Sequence, residues 1–335
     1  MGRQEGSHFP QAGLSARIFL MIRPAVSLPR LFLEALDRPL QRGISLRRHS
    51  TFRVGGRADF FFAARTSKEL TSCLEFVHER SLPYYVIGAG TNMLFDDDGY
   101  RGLILKNETG GIRRLDTSGR VEILAGTPLA DLVSFALEGG WTGLEFAAGI
   151  PGTVGGAVYG NAGAWGLAIG QLLLEAVLLD GRGRELKVRR NYFEFGYRDS
   201  ILKKKHLTVL KVVLRLRKGD KGRIRMKMEE SLAKRKSPCP SPKMAYAGSF
   251  FKNPFLPDGT KLAAGRLLEK VGAKKLSKGG AAVYPGHANF LLNRGGATSA
   301  DIRGLARTIK MRVKKEFGIT LEEEVVYLPE DFSMS

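Results

Sequence analysis

Apolar and polar positions begin to alternate readably around residue 66. Thr66 and Glu69 have the spacing of a capping box, and Leu70, Cys73, Leu74 and Val77 follow on one helical face. Pro83 ends that helix, and residues 84–87 read as a buried strand. Strand, helix and strand here predict a small α/β unit that opens near Thr51. Beyond Gly102 short strands dominate, at 103–105, 121–124, 172–179 and 207–216. One helix interrupts them, opened by Thr127-Pro128 and closed by Gly139-Gly140. Asp180-Gly181-Arg182-Gly183 predicts a hairpin turn. Residues 219–225 read as a hinge into a last domain, which starts with a basic helix at 226–236. A proline-rich link at 237–242 leads to helices at 261–271 and 299–317, the second burying Ile302, Leu305, Ile309 and Val313. The chain closes on a strand at 319–328, entered through Glu322, Glu323 and Glu324. The expected class is α+β, divided into an extension with a short helix near 31–36 (1–45), two subdomains (46–105 and 106–218) and a last domain (219–330).

A length of 335 residues exceeds one ordinary core, in keeping with that division. No run approaches the roughly 18 apolar residues that span a bilayer. The apolar patch at 18–22 is too short for a signal-peptide core, so a cytoplasmic protein is expected. Cys73 and Cys239 stand far apart, which argues against a disulfide framework or a zinc site. Five scattered histidines have no metal-ligand spacing, and no metal is expected. The net charge of +20 is uneven, with nineteen Lys/Arg against six Asp/Glu between residues 184 and 236. A nucleic-acid partner is one reading of that surplus. Lys203-Lys204-Lys205 and the Arg223/Arg225/Lys227 alternation lack interleaved aromatics, however, so a solvated basic surface, or a field steering an anionic substrate, is preferred.

Chemistry concentrates in the uncharged stretch 149–164, where six of sixteen residues are glycine. Backbone without Cβ atoms lets amides approach a ligand, and successive inward N–H groups form a nest suited to a diphosphate. A tight turn between packed elements is the plainer alternative. A second glycine turn, Gly88-Ala89-Gly90-Thr91-Asn92, follows a strand directly and offers hydroxyl and amide groups. It lacks the full dinucleotide fingerprint, so a nicotinamide Rossmann domain is not supported. Arg198, between Tyr197 and Asp199, presents a planar fork for a carboxylate or phosphate, or else a surface pair with its neighbour. Ser249 follows Gly248 and precedes two phenylalanines, so its hydroxyl faces a cleft or merely packs. No Gly-x-Ser-x-Gly elbow supports a hydrolase nucleophile. Glu324 belongs either to a solvated acidic face or, through its neighbour Val325, to an interior.

In order, residues 51–56, 88–92, 144–156, 161–164, 196–198, 248–254, 287–290 and 321–325 resemble the UDP-N-acetylenolpyruvoylglucosamine reductases. The resemblance runs from about 46 to 328, is highly specific as an ordered set, and fits the variety lacking an extra substrate-covering loop. It implies a noncovalent FAD held by two subdomains of the PCMH/vanillyl-alcohol-oxidase type, 46–105 and 106–218, with 219–330 closing over the UDP-sugar. NADPH is the implied reductant, and hydride then passes to the enolpyruvyl ether of UDP-N-acetylenolpyruvoylglucosamine, giving UDP-N-acetylmuramate for peptidoglycan. Arg198 and a protonated Glu324 match the groups that stabilise the developing enolate, and Ser249 matches the proton donor. The implied cofactor residues are Arg53, Gly88, Ala89, Gly90, Thr91, Asn92, Gly149, Ile150, Pro151, Gly152, Thr153, Gly155, Gly156 and Ala157. Tyr197, Lys236, Lys252 and Asn253 match substrate-binding positions, and a monomer without nucleic-acid or membrane partners is expected. Three positions depart from the family: Ser50 replaces a usual asparagine, Glu323 a frequent proline and Val326 a frequent arginine; the last two leave Glu323 and Glu322 as alternatives to Glu324. The resemblance accounts for neither the extension nor the basicity. The competing readings are another FAD-dependent oxidoreductase of the same fold and, more remotely, a basic nucleic-acid-binding protein. Many flavin oxidases of that fold tether the cofactor through a histidine near the glycine loop, and residues 149–164 contain none.

Overall fold

The computed structural model describes residues 27–236 and 239–332; the patch at 18–22 and Ser237-Pro238 of the proline-rich link lie outside them. The chain divides into two units, 1–39 and 40–335. In the first, a helix spans Leu28–Leu36, with proline in its first turn and Asp37 in a left-handed conformation at its end. It covers the expected short helix and starts three residues earlier.

Among the described residues, the second unit contains three sheets of three or more strands, besides three two-stranded pairs. One has the order Gln41–Ser45, Arg57–Ala64, Tyr100–Asn107, Tyr84–Ile87, with the first strand antiparallel and the others parallel. The helix Ser67–Glu79 links two of these strands; the Thr66 hydroxyl accepts from the Glu69 amide, and the Glu69 carboxylate accepts from the Arg65 amide. Residues 41–45, expected in the extension, are instead the edge strand of this sheet. With one paired side and mostly polar residues, that strand carries no hydrophobic alternation to read.

The second sheet is antiparallel throughout, in the order Glu185–Arg189, Leu173–Leu179, Thr208–Arg215, Arg120–Leu124, Ile112–Arg114. The Asp180 carboxylate closes the expected hairpin turn by accepting from the amides of Arg182 and Arg184. Helices Leu129–Gly139 and Val154–Tyr159 contribute Leu132 and Val158 to a core with Ile123, Leu178 and Val212.

The third sheet, Ser277–Lys278, Ala281–Val283 and Leu291–Asn293, shares a core with helices Ala264–Lys270 and Ser299–Phe317. Ile302, Leu305, Ile309 and Val313 are buried there as their spacing predicts, and Phe52, Val54 and Leu94 join the same core from residues before 95. The expected hinge at 219–225 is instead the start of the helix Lys221–Lys236. Asp220 supplies its cap, accepting from the Arg223 amide through its carboxylate and from the Ile224 amide through its carbonyl, so Gly222 is tolerated in the first turn. The closing strand is shorter than expected, Val326–Leu328, and pairs in parallel with Met93–Phe95. The chain end thereby returns to the turn at 88–92.

Candidate active site

Arg198 occupies a tight hairpin in which the Gly196 and Asp199 amides donate to each other's carbonyls at 3.1 and 3.4 Å. Its φ is +56°, a left-handed conformation uncommon for a residue with a Cβ and held only by its surroundings. Asn161 donates to the Gly196 carbonyl at 2.7 Å and accepts from the Gly170 amide. The Ser200 hydroxyl donates to the Tyr159 carbonyl, and the Lys203 ammonium donates to the Arg198 carbonyl at 2.5 Å. The hairpin is thus bolted to the end of the glycine-bearing helix Val154–Tyr159. From it, Arg198 Nε reaches Glu324 Oε1 at 2.7 Å, both side chains only about a quarter exposed (25% and 23%).

Glu324 is fixed through its backbone. Its amide donates to the Phe250 carbonyl, and its carbonyl accepts from Asn92 Nδ2, each at 2.8 Å. Ser249 immediately precedes Phe250, so the serine lies one residue from the backbone pairing that holds Glu324. Buried Asn289 fixes the other side of that segment, accepting from the Phe250 and Phe251 amides and donating to the Phe251 carbonyl. The neighbouring acids turn elsewhere: Glu323 pairs with Lys310 at 3.1 Å and Glu322 with Lys252 at 3.0 Å. Glu324 is therefore the acid that faces Arg198. Burial pushes its carboxyl above the usual range, while Arg198, Lys203 and Lys252 pull in the opposite direction.

The other sequence candidates divide. The Tyr197 ring meets Phe255 at 5.6 Å while the Lys261 ammonium lies 3.5 Å from its centroid. Asn253 accepts from the Ala264 amide, capping the helix that follows. Lys236 is exposed at the end of its helix. Its neighbour Arg235 instead bonds the carbonyls of Phe146 and Ala148, at the entrance to the glycine segment.

The two glycine turns close on each other. A Cβ on Gly88 would lie 2.5 Å from the Thr153 hydroxyl, and the Thr91 hydroxyl reaches the Pro151 carbonyl at 3.5 Å. In the long segment, the amides of Ile150, Gly155, Gly156 and Ala157 are consumed inside the fold, Gly155 on the Ala125 carbonyl and the last two on Thr153 at the helix start. Among the described residues, the amides of Ala89, Gly90, Thr91 and Asn92 have no acceptor within the chain. Four consecutive free donors beside the glycine segment fit a diphosphate, the part of FAD that backbone amides hold best. Arg53 also adopts left-handed φ, +55°, between buried Phe52 and Val54, and lines a cavity of about 620 Å³ with Thr51 and Ala89. Departing Ser50 is absorbed locally, its hydroxyl donating to the Met93 carbonyl and accepting from the Phe52 amide. No metal-binding cluster occurs among the described residues, and no helix there is long and apolar enough to cross a membrane.

Sequence reasoning gave no role to Lys203 or Lys261, and named Asn161 only within the resembling segment 161–164. Lys203 was hidden in a basic run, and only its partial burial beside exposed Lys204 and Lys205 sets it apart. Asn161 left one trace, a residue that tolerates left-handed φ (here +44°) after a glycine.

Residues 58–189 match the family described as "FAD binding domain", and residues 240–328 match "UDP-N-acetylenolpyruvoylglucosamine reductase, C-terminal domain". The chain is 39% identical to the UDP-N-acetylenolpyruvoylglucosamine reductase of Heliobacterium modesticaldum, over 83% of this chain and 87% of that protein. It is 40% identical to the reductase of Moorella thermoacetica, over 88% of this chain and 97% of that protein. The crystal structure of the Thermus caldophilus reductase superposes with a TM-score of 0.72 at 33% identity, covering 87% of this chain and 99% of that one.

Proposed function

The chain belongs to the UDP-N-acetylenolpyruvoylglucosamine reductase family, and from that membership we propose that Arg198, Glu324 and Ser249 carry the reduction of an enolpyruvyl ether. It is an FAD-dependent oxidoreductase of the α+β, PCMH-type fold, with NADPH as reductant and the enolpyruvyl sugar nucleotide as acceptor. We infer a cytoplasmic monomer that feeds peptidoglycan precursor synthesis.

The observation that carries the site assignment is the 2.7 Å pair between Arg198 and Glu324, made in a largely buried place beside Ser249. Bound FAD supplies a hydride. The residues of this chain must then manage the negative charge that develops on the acceptor and deliver a proton. Arg198 offers a fixed cationic fork to the acceptor carboxylate, and preorganised charge of this kind acts most strongly in a water-poor site. Glu324, in its neutral form, donates a hydrogen bond to the same developing charge. Ser249 gives its proton to the carbon that becomes carbanionic. The amides of 88–92 hold the cofactor diphosphate, while Tyr197, Asn253 and Lys252 border the acceptor; Lys236 is a candidate for its diphosphate. The segments 46–105, 106–218 and 219–330 serve as two cofactor subdomains and a substrate domain.

The proton on Glu324 sets the pH dependence. Because burial raises its pKa, the neutral form persists above the ordinary carboxylate range, and the product-forming step should be fastest at low pH and fall as pH rises through that raised value. Glu324→Gln, which keeps a donor, should flatten that limb and stay more active than Glu324→Ala. Glu323→Gln should change the rate by less than about twofold, as expected of a partly exposed ion pair. A pH profile that Glu324→Gln leaves unchanged, or a collapse on Glu323→Gln, would overturn the assignment.

A further inference from the structure

Lys203 differs from the rest of the basic stretch. Its side chain is only 27% exposed, whereas Lys204 and Lys205 beside it are exposed. Its ammonium lies 2.5 Å from the Arg198 carbonyl and 3.7 Å from the Asp199 carboxylate. Charges on two other elements also act on it: Lys252 from the segment after Ser249, and Glu324 from the chain end. Burying a lysine among a like charge and a strained turn is unfavourable unless it fulfils a specific contact. Here the contact is with the backbone of the one residue whose left-handed conformation aims its guanidinium at Glu324.

We propose that Lys203 is a positioning residue, whose ammonium pins the Arg198 carbonyl and so holds the guanidinium against Glu324 and the acceptor carboxylate. The turn is otherwise tied at its rim, by Asn161 at Gly196 and by Ser200 at Tyr159, and among the described residues Lys203 is the side chain that bonds the Arg198 backbone. Without it, the hairpin persists but Arg198 is free to leave the left-handed basin, and the pair with Glu324 loosens. The contact is charge-assisted and partly shielded from water, which places it among the stronger hydrogen bonds. This inference rests on Arg198 being the charge-stabilising group.

The test uses FAD-loaded enzyme in four forms: Lys203→Met, Lys203→Arg, Arg198→Met and the double variant Lys203→Met/Arg198→Met. FAD content, flavin reduction by NADPH, and reoxidation of the reduced enzyme by the enolpyruvyl sugar nucleotide are measured separately. Lys203→Met is expected to keep its FAD and its reduction rate, while reoxidation slows roughly 10–100-fold, the range for loss of one charge-assisted hydrogen bond. Lys203→Arg restores most of that loss, because it returns a cationic donor. The double variant is no slower than Arg198→Met alone, since a residue acting through Arg198 has nothing left to position. Wild-type reoxidation in Lys203→Met, losses that multiply in the double variant, or a parallel fall of both half-reactions with FAD content would each overturn the proposal. If Arg198→Met itself reoxidises normally, the site assignment fails and takes this proposal with it. An inactive Arg198→Met beside an unimpaired Lys203→Met defeats the Lys203 proposal alone.

Discussion

Alanine at Ser249 is expected to leave flavin reduction by NADPH within about twofold of wild type and to lower product formation by roughly 10²–10⁴-fold, the usual worth of a positioned proton donor. The two half-reactions separate because the serine hydroxyl enters only after hydride has reached the acceptor. The substitution is also structurally mild. Phe250 and Phe251, which follow it, are buried and held by Asn289, and the Ser249 hydroxyl makes no hydrogen bond to another described residue. Stopped-flow traces at the flavin absorbance, followed by product analysis, separate the outcomes. Normal turnover by the alanine variant would remove Ser249 from the mechanism, whereas loss of both half-reactions would place it in binding.

A comparable loss is expected from Gly90→Ala, on the cofactor side. Gly90 has φ +67°, and a Cβ there would sit 1.8 Å from the His49 carbonyl oxygen. Both partners are backbone, so no side-chain rotation relieves the clash. The turn at 88–92 would have to leave the 49–51 segment, breaking the hydrogen bond from the Thr51 amide to the Gly90 carbonyl and scattering the free amides of 89–92. Strain of about 3 kcal/mol or more at such a position corresponds to roughly a 100-fold or greater loss of FAD affinity. Gly110→Ala, at an exposed glycine where an added Cβ has nothing within 4 Å, serves as the comparison and should bind FAD normally. The ratio of flavin to protein absorbance after purification reads the difference. A Gly90→Ala protein that retains stoichiometric FAD would show that this turn does not hold the cofactor.

How much of this was readable in the chain depended on how local each signal was. The helix Ser299–Phe317 appeared with its observed bounds because everything defining it is local: Thr298 and Asp301 form a capping box, apolar residues recur on one face, and Gly318 takes the left-handed end. The edge strand Gln41–Ser45 and the small sheet around Ala281–Val283 went unread, since short strands carry too few residues to establish a period. Asp220 as a cap was overshadowed by the glycines on either side of it, which read as a hinge. In the site, residue types such as Arg198, Ser249 and Glu324 could be nominated from motif resemblance, but their meeting could not. It depends on the Glu324 amide bonding the Phe250 carbonyl and on the Arg198–Glu324 pair, contacts between residues more than 70 and more than 120 positions apart. The long glycine segment drew attention as the anion nest, yet most of its amides are spent starting a helix and contacting Thr127 and Ala125. The shorter turn at 88–92 keeps its donors free. Composition alone does not distinguish a glycine that packs from one that presents its amide.

The most direct test of the account is an anaerobic cycle on the purified protein. It should be yellow with noncovalent FAD, bleach on one equivalent of NADPH, and regain its colour when one equivalent of UDP-N-acetylenolpyruvoylglucosamine is added. A folded protein that takes up no FAD, or a bleached one that the enolpyruvyl sugar nucleotide fails to reoxidise, would contradict it.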